Sequence, residues 1–186
     1  GNALADILYG NVSPSGKLSV TYPAVELHEP ICYNTGLTTD DPHIAYPFGH
    51  GLTYTTFEYS NLHAPATADI TADNIPISLT VKNTGSFPAD EIVQLYISPK
   101  DASAALRPIA LQGFTRVTLA PGESKEVTFS LSPQQFGYYA AGQWHIAPAT
   151  YTLCLAASSA DIRLQSDITL TGSPQTLPLR TRYFSN

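Results

Sequence analysis

Asp6, Asp69 and Asp161 share one context, "ADI". Two facing carboxyl groups could do acid–base or displacement chemistry, provided each stands within reach of one reacting centre. Here each aspartate reads as part of a helix or a strand edge. Glu91, Glu123 and Glu126 fall on strands or turns, where a solvated face or a turn contact is the simpler role. Asp40 and Asp41 form an acidic pair in an irregular stretch. They suit a turn cap or a cation, for which two adjacent carboxylates are a weak signal. His50 lies between Gly49 and Gly51. A lone histidine without a positioned partner has no acid–base mechanism, so a structural hydrogen bond is expected of it. Ser13, Ser15 and Ser19 lack the G-x-S-x-G context of an activated serine, and "GHG" is not a phosphate loop. Cys32 and Cys154 lack C-x-x-C spacing, which leaves free or buried thiols as the simpler reading and a disulfide open. No metal or cofactor is expected from these groups.

The elements that would carry them follow from composition and period. The chain has 186 residues, 43% hydrophobic and 13% charged, a composition that builds a core. A net charge of −6 without a Lys/Arg cluster makes nucleic acid and anionic membrane surfaces poor partners. No apolar stretch is long enough to span a bilayer, and the start shows no secretory leader. The chain begins with Gly1 and has no Met, so Gly1 is not expected to be the native start. "NALADILYG" reads as the last turns of a helix, with Leu4, Ile7 and Leu8 on one face and Gly10 as a left-handed cap. "KLSVTYP" alternates as a strand that Pro23 stops. Residues 24–45 show no period and read as a long loop.

From about Thr55 onward the period is two. Ile77, Leu79 and Val81 share one face; so do Val93, Leu95 and Ile97, then Val127, Phe129 and Leu131, then Tyr151, Leu153 and Leu155. Short strands broken by Gly, Pro and Asn turns give an antiparallel β-sandwich of the immunoglobulin-like or fibronectin type III-like kind. The expected class is therefore mainly β, preceded by the tail of an α/β domain.

"GNALADILYGNVSPSGKLSVTYP" followed by "YPFGHGLTYTTFEYSNL" resembles the C-terminal region of glycoside hydrolase family 3. "VKNTG", "EIVQLYIS", "RPIALQGFTRVTLAPGESKEVTFSL" and "ASSADIRL" are similar to that family's fibronectin type III-like domain. Ala149, and Ala89-Asp90-Glu91, stand where the family often has Gly and Gly-Glu. The resemblance implies four parts: the end of an α/β sandwich domain (1–23), a loop and interdomain junction (24–54), the fibronectin-like domain (55–172) and an extended tail (173–186). It implies a retaining β-glycosidase of the β-glucosidase or β-xylosidase type, secreted or periplasmic by analogy. Its partners would be the barrel and α/β sandwich domains of the same enzyme and, through them, a carbohydrate.

Phe48, His50, Leu52 and Phe57 are expected at the interdomain junction, the three apolar ones pinning the sandwich to the neighbouring domain. Tyr33, Asn34 and Thr35 are expected at the rim of the substrate pocket. Tyr138, Tyr139 and Trp144 could stack on sugar rings, with core or interface packing as the simpler role. A stand-alone carbohydrate-binding or interaction module is the alternative, which the helix end at "NALADILYG" opposes.

Retention needs a nucleophile and an acid/base on two carboxyl groups. The family's nucleophile is an Asp in an S-D-W or similar context on the barrel, and no Asp here precedes Trp144, the single Trp. The acid/base is usually a Glu upstream of this segment. No catalytic residue is therefore expected in this chain. The purified 186-residue chain should hydrolyse no aryl β-glucoside; turnover that disappears on replacing Asp6 or Asp161 would refute this.

Overall fold

The computed structural model describes residues 1–24, 43–100 and 109–185. Helix α1 (Asn2–Leu8) ends at the cap the sequence predicts. Gly10 takes φ 76°, the Gly10 N–H donates to the Ile7 carbonyl at 3.0 Å, and the Asn11 N–H donates to the Asp6 carbonyl at 2.8 Å. That pair of bonds is a Schellman closure. The helix buries none of its residues, and Leu4 and Leu8 are 63% and 72% exposed.

The strand expected over residues 17–23 shrinks to β1 (Tyr22–Pro23), paired antiparallel with β2 (Ile44–Tyr46). The upstream residues lack a ladder: Leu18 instead exchanges bonds with a turn, accepting from the Gly49 N–H and donating to the His50 carbonyl, both at 2.8 Å. Alternation alone does not make a strand when no second strand receives it.

The sandwich has two sheets. One is β3 (Phe57–His63), β5 (Ile75–Asn83) and β8 (Ser124–Leu131), with β5 central. The other runs β4 (Thr67–Asp69), β12 (Ile162–Thr171), β11 (Thr150–Ala156), β6 (Ala89–Pro99), β7 (Ala110–Leu119). All pairings are antiparallel except β4 with β12. The chain thus changes sheets after β3, and the short β4 covers what would be a bare β12 edge. The faces expected to point inward do so: Ile77, Leu79, Val81, Val93, Leu95, Val127, Phe129, Leu153 and Leu155 are all buried in one core. Asn83, fully buried, braces its end. Its Nδ2 donates to the Phe87 and Leu119 carbonyls at 2.8 and 3.1 Å, and its Oδ1 accepts from the Thr55 hydroxyl at 2.6 Å. The "APGES" turn between the sheets has Gly122 at φ 77° and a Glu123 N–H to Ala120 carbonyl bond of 3.0 Å, which only a glycine-tolerant turn closes comfortably.

Two expectations change. Phe57 was read as an anchor for a neighbouring domain, but as the first residue of β3 it is 9% exposed inside the sandwich's own core. Glu91, expected on a solvated face or in a turn contact, is 4% exposed, and on the other face of β6 Gln94 and Tyr96 are buried too, because Phe48, Leu111 and Ile162 pack over Tyr96, Cys154 and Ala156.

Past β8, a 3₁₀ turn (Pro133–Phe136) closed by a Ser132–Gln135 capping box leads into a small sheet of β9 (Tyr138–Ala140), β10 (Gln143–Ile146) and β13 (Gln175–Leu177). The expected extended tail therefore re-enters a sheet, and further on the Ser185 N–H donates to the Gln112 carbonyl at 2.8 Å. Phe57→Ala should cost about 3–5 kcal/mol of unfolding free energy as a core truncation. Leu52→Ala, on a residue 72% exposed, should stay within about 0.5 kcal/mol. Urea unfolding of the chain measures both, and equal losses would contradict this placement of the core.

Candidate functional site

The four residues expected at the junction separate into different environments. Pro47 to His50 make a turn closed by the His50 N–H on the Pro47 carbonyl at 3.1 Å, with Gly49 at φ 79° in the position that needs a left-handed residue. Phe48 points onto the outer face of the five-stranded sheet. Leu52 faces solvent. The His50 ring lies against Tyr46, centroids 5.0 Å apart, and its imidazole makes no hydrogen bond to the described residues. The hydrogen bonds of this position come from its backbone, because the tight turn aims N–H and C=O at Pro47 and Leu18 and leaves the ring on the outside.

What fixes this turn is a residue the sequence reading passed over. The Gln94 amide donates to the Gly49 carbonyl at 3.2 Å and to the Ala157 carbonyl at 2.7 Å, while its oxygen accepts from the Tyr96 hydroxyl. A Cβ at Gly49 would come within 2.1 Å of that oxygen. The Ser159 N–H donates to the Phe48 carbonyl at 2.9 Å. A lone Gln inside the apolar run of β6 was the available signal.

A second tie is electrostatic. Glu91 is 4% exposed on the inward side of β6. It accepts from the Tyr59 hydroxyl at 3.0 Å and pairs with Lys17 at 3.5 Å. Burial pushes the Glu91 carboxyl above the ordinary range, against the pull of Lys17, the Tyr59 hydroxyl and Arg163. Burial, and then Glu91 itself, hold Tyr59 protonated. Further contacts join residues 1–15 to the junction and to the sandwich. The Tyr54 hydroxyl donates to the Ile7 carbonyl at 2.7 Å, the Tyr54 N–H to Ser13 Oγ at 2.9 Å, and Arg116 to Ser15 Oγ at 3.0 Å.

The three aspartates of the "ADI" context are each engaged locally. Asp6 accepts from Asn11 Nδ2 at 3.3 Å, Asp69 from the Thr71 N–H at 2.8 Å, and Asp161 from Arg163 at 2.7 Å. Among the described residues no cluster of three or more His, Cys, Asp or Glu could hold a metal. Cys154 is a free, buried thiol whose pKa burial raises. Tyr33, Asn34, Thr35, Cys32, Asp40 and Asp41 lie outside the described residues.

Two concave surfaces stand out. A hollow of about 440 Å³ at the junction is lined by Leu18, Tyr22, Tyr46, His50 and Leu52 among others. A cleft of about 590 Å³ between the small sheet and the tail contains Tyr138, Tyr139, Trp144, Arg180 and Tyr183. Tyr138, Tyr139 and Trp144 thus come together as expected from their spacing. Trp144 packs on the core, while Tyr139 stays 61% exposed.

Residues 1–54 match the glycosyl hydrolase family 3 C-terminal domain, and residues 91–159 match a fibronectin type III-like domain. The chain is 36% identical to a thermostable β-glucosidase B of Acetivibrio thermocellus, over all of this chain and 27% of that protein. It is 34% identical to an exo-α-(1→6)-L-arabinopyranosidase of Bifidobacterium breve, over 96% of this chain and 26% of that one. The crystal structure of a GH3 β-glucosidase from Bifidobacterium adolescentis superimposes with a TM-score of 0.81 at 35% identity, covering 97% of this chain and 29% of that one. The chain spans about a quarter of the length of the curated relatives it matches.

The buried carboxyl sets a pH signature. A glutamate whose folded pKa lies above its unfolded value binds its proton first in the folded state, so its contribution favours folding at acid pH and is lost as pH rises through the folded value. Going from about pH 7 down to about 4.5, the melting temperature of the native chain should therefore gain on that of Glu91→Gln. Thermal melts of both proteins across that range test it; a difference that is constant, or moves the other way, contradicts the burial assignment.

Proposed function

Because the chain belongs to glycoside hydrolase family 3, as the C-terminal region of such an enzyme, we propose that it braces a retaining β-glycosidase of the β-glucosidase or β-xylosidase type. The complete enzyme would remove terminal β-linked sugars from glycosides or oligosaccharides. Residues 1–23 would finish its α/β sandwich domain, 24–54 would cross to the last domain, and 55–172 would form the brace, with 173–186 as its tail. The two carboxyl groups that retention needs would be supplied by the barrel and the α/β domain, which makes this region's contribution positional. The relatives' names differ in sugar and anomer, β-glucosidase and exo-α-(1→6)-L-arabinopyranosidase, so this region supports the reaction class more than the sugar.

The observation that carries the reading is the distribution of exposed apolar side chains. The core of the sandwich is filled, yet Leu4, Leu8, Tyr9, Val12, Val20 and Leu52 are all more than half exposed, and all belong to the segment that matches the family's C-terminal domain. Large apolar side chains gathered on one segment of a folded chain mark an interaction face. The remaining domains of the same enzyme fit it. A free-standing binding module would leave that face in water, which is why the brace is the better reading. Phe48, packed on the outer sheet, and the turn behind it would transmit the position of the sandwich to that face. Tyr33 would stack on a sugar at the pocket rim and Asn34 would bond a hydroxyl, with Thr35 beside them; the absence of any strand or helix period in the sequence of residues 24–45 supports this placement, since long loops commonly carry rim contacts.

Leu8→Asp separates the brace from a free module. Exposed in this chain, the substitution should leave its melting temperature unchanged. In the full-length enzyme it would bury a charge against an apolar partner, which is costly, and should lower thermal stability by several degrees. Phe48→Ala in the full-length enzyme should also lower stability, with the KM for a small aryl glycoside nearly unchanged. If Leu8→Asp is silent in both proteins, the docking face is wrongly assigned.

A further inference from the structure

The cleft beside the tail is not absorbed by the brace. It is built across three strands: Tyr139, Trp144 and Leu177 are register partners on β9, β10 and β13, so their side chains share one face. Trp144 is fixed there, its indole N–H donating to the Gln134 carbonyl at 2.9 Å. The Arg180 guanidinium lies 5.3 Å from the centroid of the Trp144 ring and 5.3 Å from that of Tyr183. It holds the tail in place and leaves Tyr139 and Tyr183 61% and 58% exposed.

The polar group at the base of the cleft is Gln112, 6% exposed. Its orientation follows from its neighbours. The carbonyl oxygen accepts from Arg180 Nη2 at 2.8 Å and from Gln135 Nε2 at 3.4 Å, so the amide nitrogen must face the other way. That nitrogen has no acceptor among the described residues. It is not sealed from solvent, so water can take its protons and a ligand hydroxyl can replace that water. Exposed aromatic walls around a volume of about 590 Å³, with the Gln112 amide in the lining, have the make-up of a small-molecule site.

We propose that this cleft binds a pyranose ring of a neutral carbohydrate. A sugar ring presents an apolar C–H face, which lies well on a tyrosine ring, and a rim of hydroxyls. One hydroxyl oxygen would accept from Gln112 Nε2, and others would reach the Tyr139 and Tyr183 hydroxyls. A charged ligand is not called for, because the Arg180 guanidinium already donates to Gln112 and to the Tyr183 and Arg182 carbonyls. The site requires only residues of the sandwich and the tail, so its existence does not depend on the brace.

Trp144 is the only tryptophan of the chain and lines the cleft, so its fluorescence reports occupancy. The 186-residue chain is titrated with cellobiose and xylobiose, and with mannitol, which has hydroxyls but no ring face. Saturable change with either disaccharide and none with mannitol is expected, together with saturation-transfer NMR signals from the ring protons. Tyr139→Ala should weaken binding about tenfold, a factor within the range of aromatic stacking. Tyr139→Phe, which keeps the ring face, should retain most of it. The residue is exposed, so both variants should melt at the native temperature, which keeps loss of binding separate from loss of fold. No saturable signal at concentrations where even a millimolar site would be filled, or binding unchanged in Tyr139→Ala, overturns the proposal. Its failure would leave the melting behaviour of Leu8→Asp, and hence the brace, untouched.

Discussion

The Gln94 amide is the contact on which the arrangement of this chain turns. It bonds the Gly49 carbonyl on one side and the Ala157 carbonyl on the other, and so joins the crossing segment to the β11–β12 connection through the middle of β6. Buried amides are stable only when their donors and acceptor are all used, and here two carbonyls and the Tyr96 hydroxyl use them. Gly49 takes φ 79°, and a Cβ there would displace the Gln94 amide. A single residue type at 49 and a single amide at 94 therefore decide where the N-terminal segment sits on the sandwich.

Other contacts of the junction depend on that placement. Phe48 is carried onto Tyr96, Cys154 and Ala156 because the turn is held there. The same segment brings Lys17 to Glu91 at 3.5 Å. A buried carboxylate is costly when unpaired and worth little net when paired, so this ion pair specifies position more than it adds stability. Phe48 covers part of the apolar outer face of the five-stranded sheet, while Leu4, Leu8, Tyr9, Val12, Val20 and Leu52 of the same N-terminal stretch stay in contact with solvent. One strip of chain thus has two apolar sides, one packed within the structure and one in contact with solvent.

The tail adds a smaller, independent construction. Strand β13 extends the β9–β10 hairpin, and Arg180 stacks over Trp144. Guanidinium planes suit this role because they carry five donors in a rigid fork and also pack on aromatic rings. The result is a concave surface at the end of the sandwich remote in sequence from the Pro47–His50 turn.

Much of the architecture was written in local sequence. Period-two alternation named the inward residues Ile77, Leu79, Val81, Val93, Leu95, Val127, Phe129, Leu153 and Leu155, because burial on one face of a pleated strand forces that period. The Gly10 cap was legible because a left-handed closure needs a residue without a Cβ. What only the tertiary structure decided were contacts between segments distant along the chain. Phe57 belongs to the core because β3 pairs with β5, and no local period reveals which strands pair. Gln94 and Tyr96 are buried because the Phe48 turn packs over them, and Glu91 because the sandwich closes on it through Tyr59; a Gln in an apolar run hints at cover without saying which segment supplies it. Residues 17–21 alternate like a strand and form none, since a ladder requires a neighbour. The imidazole of His50 lost its expected hydrogen bond to its own backbone for the same reason: the turn, and the chain that holds it, determine where the bonds go.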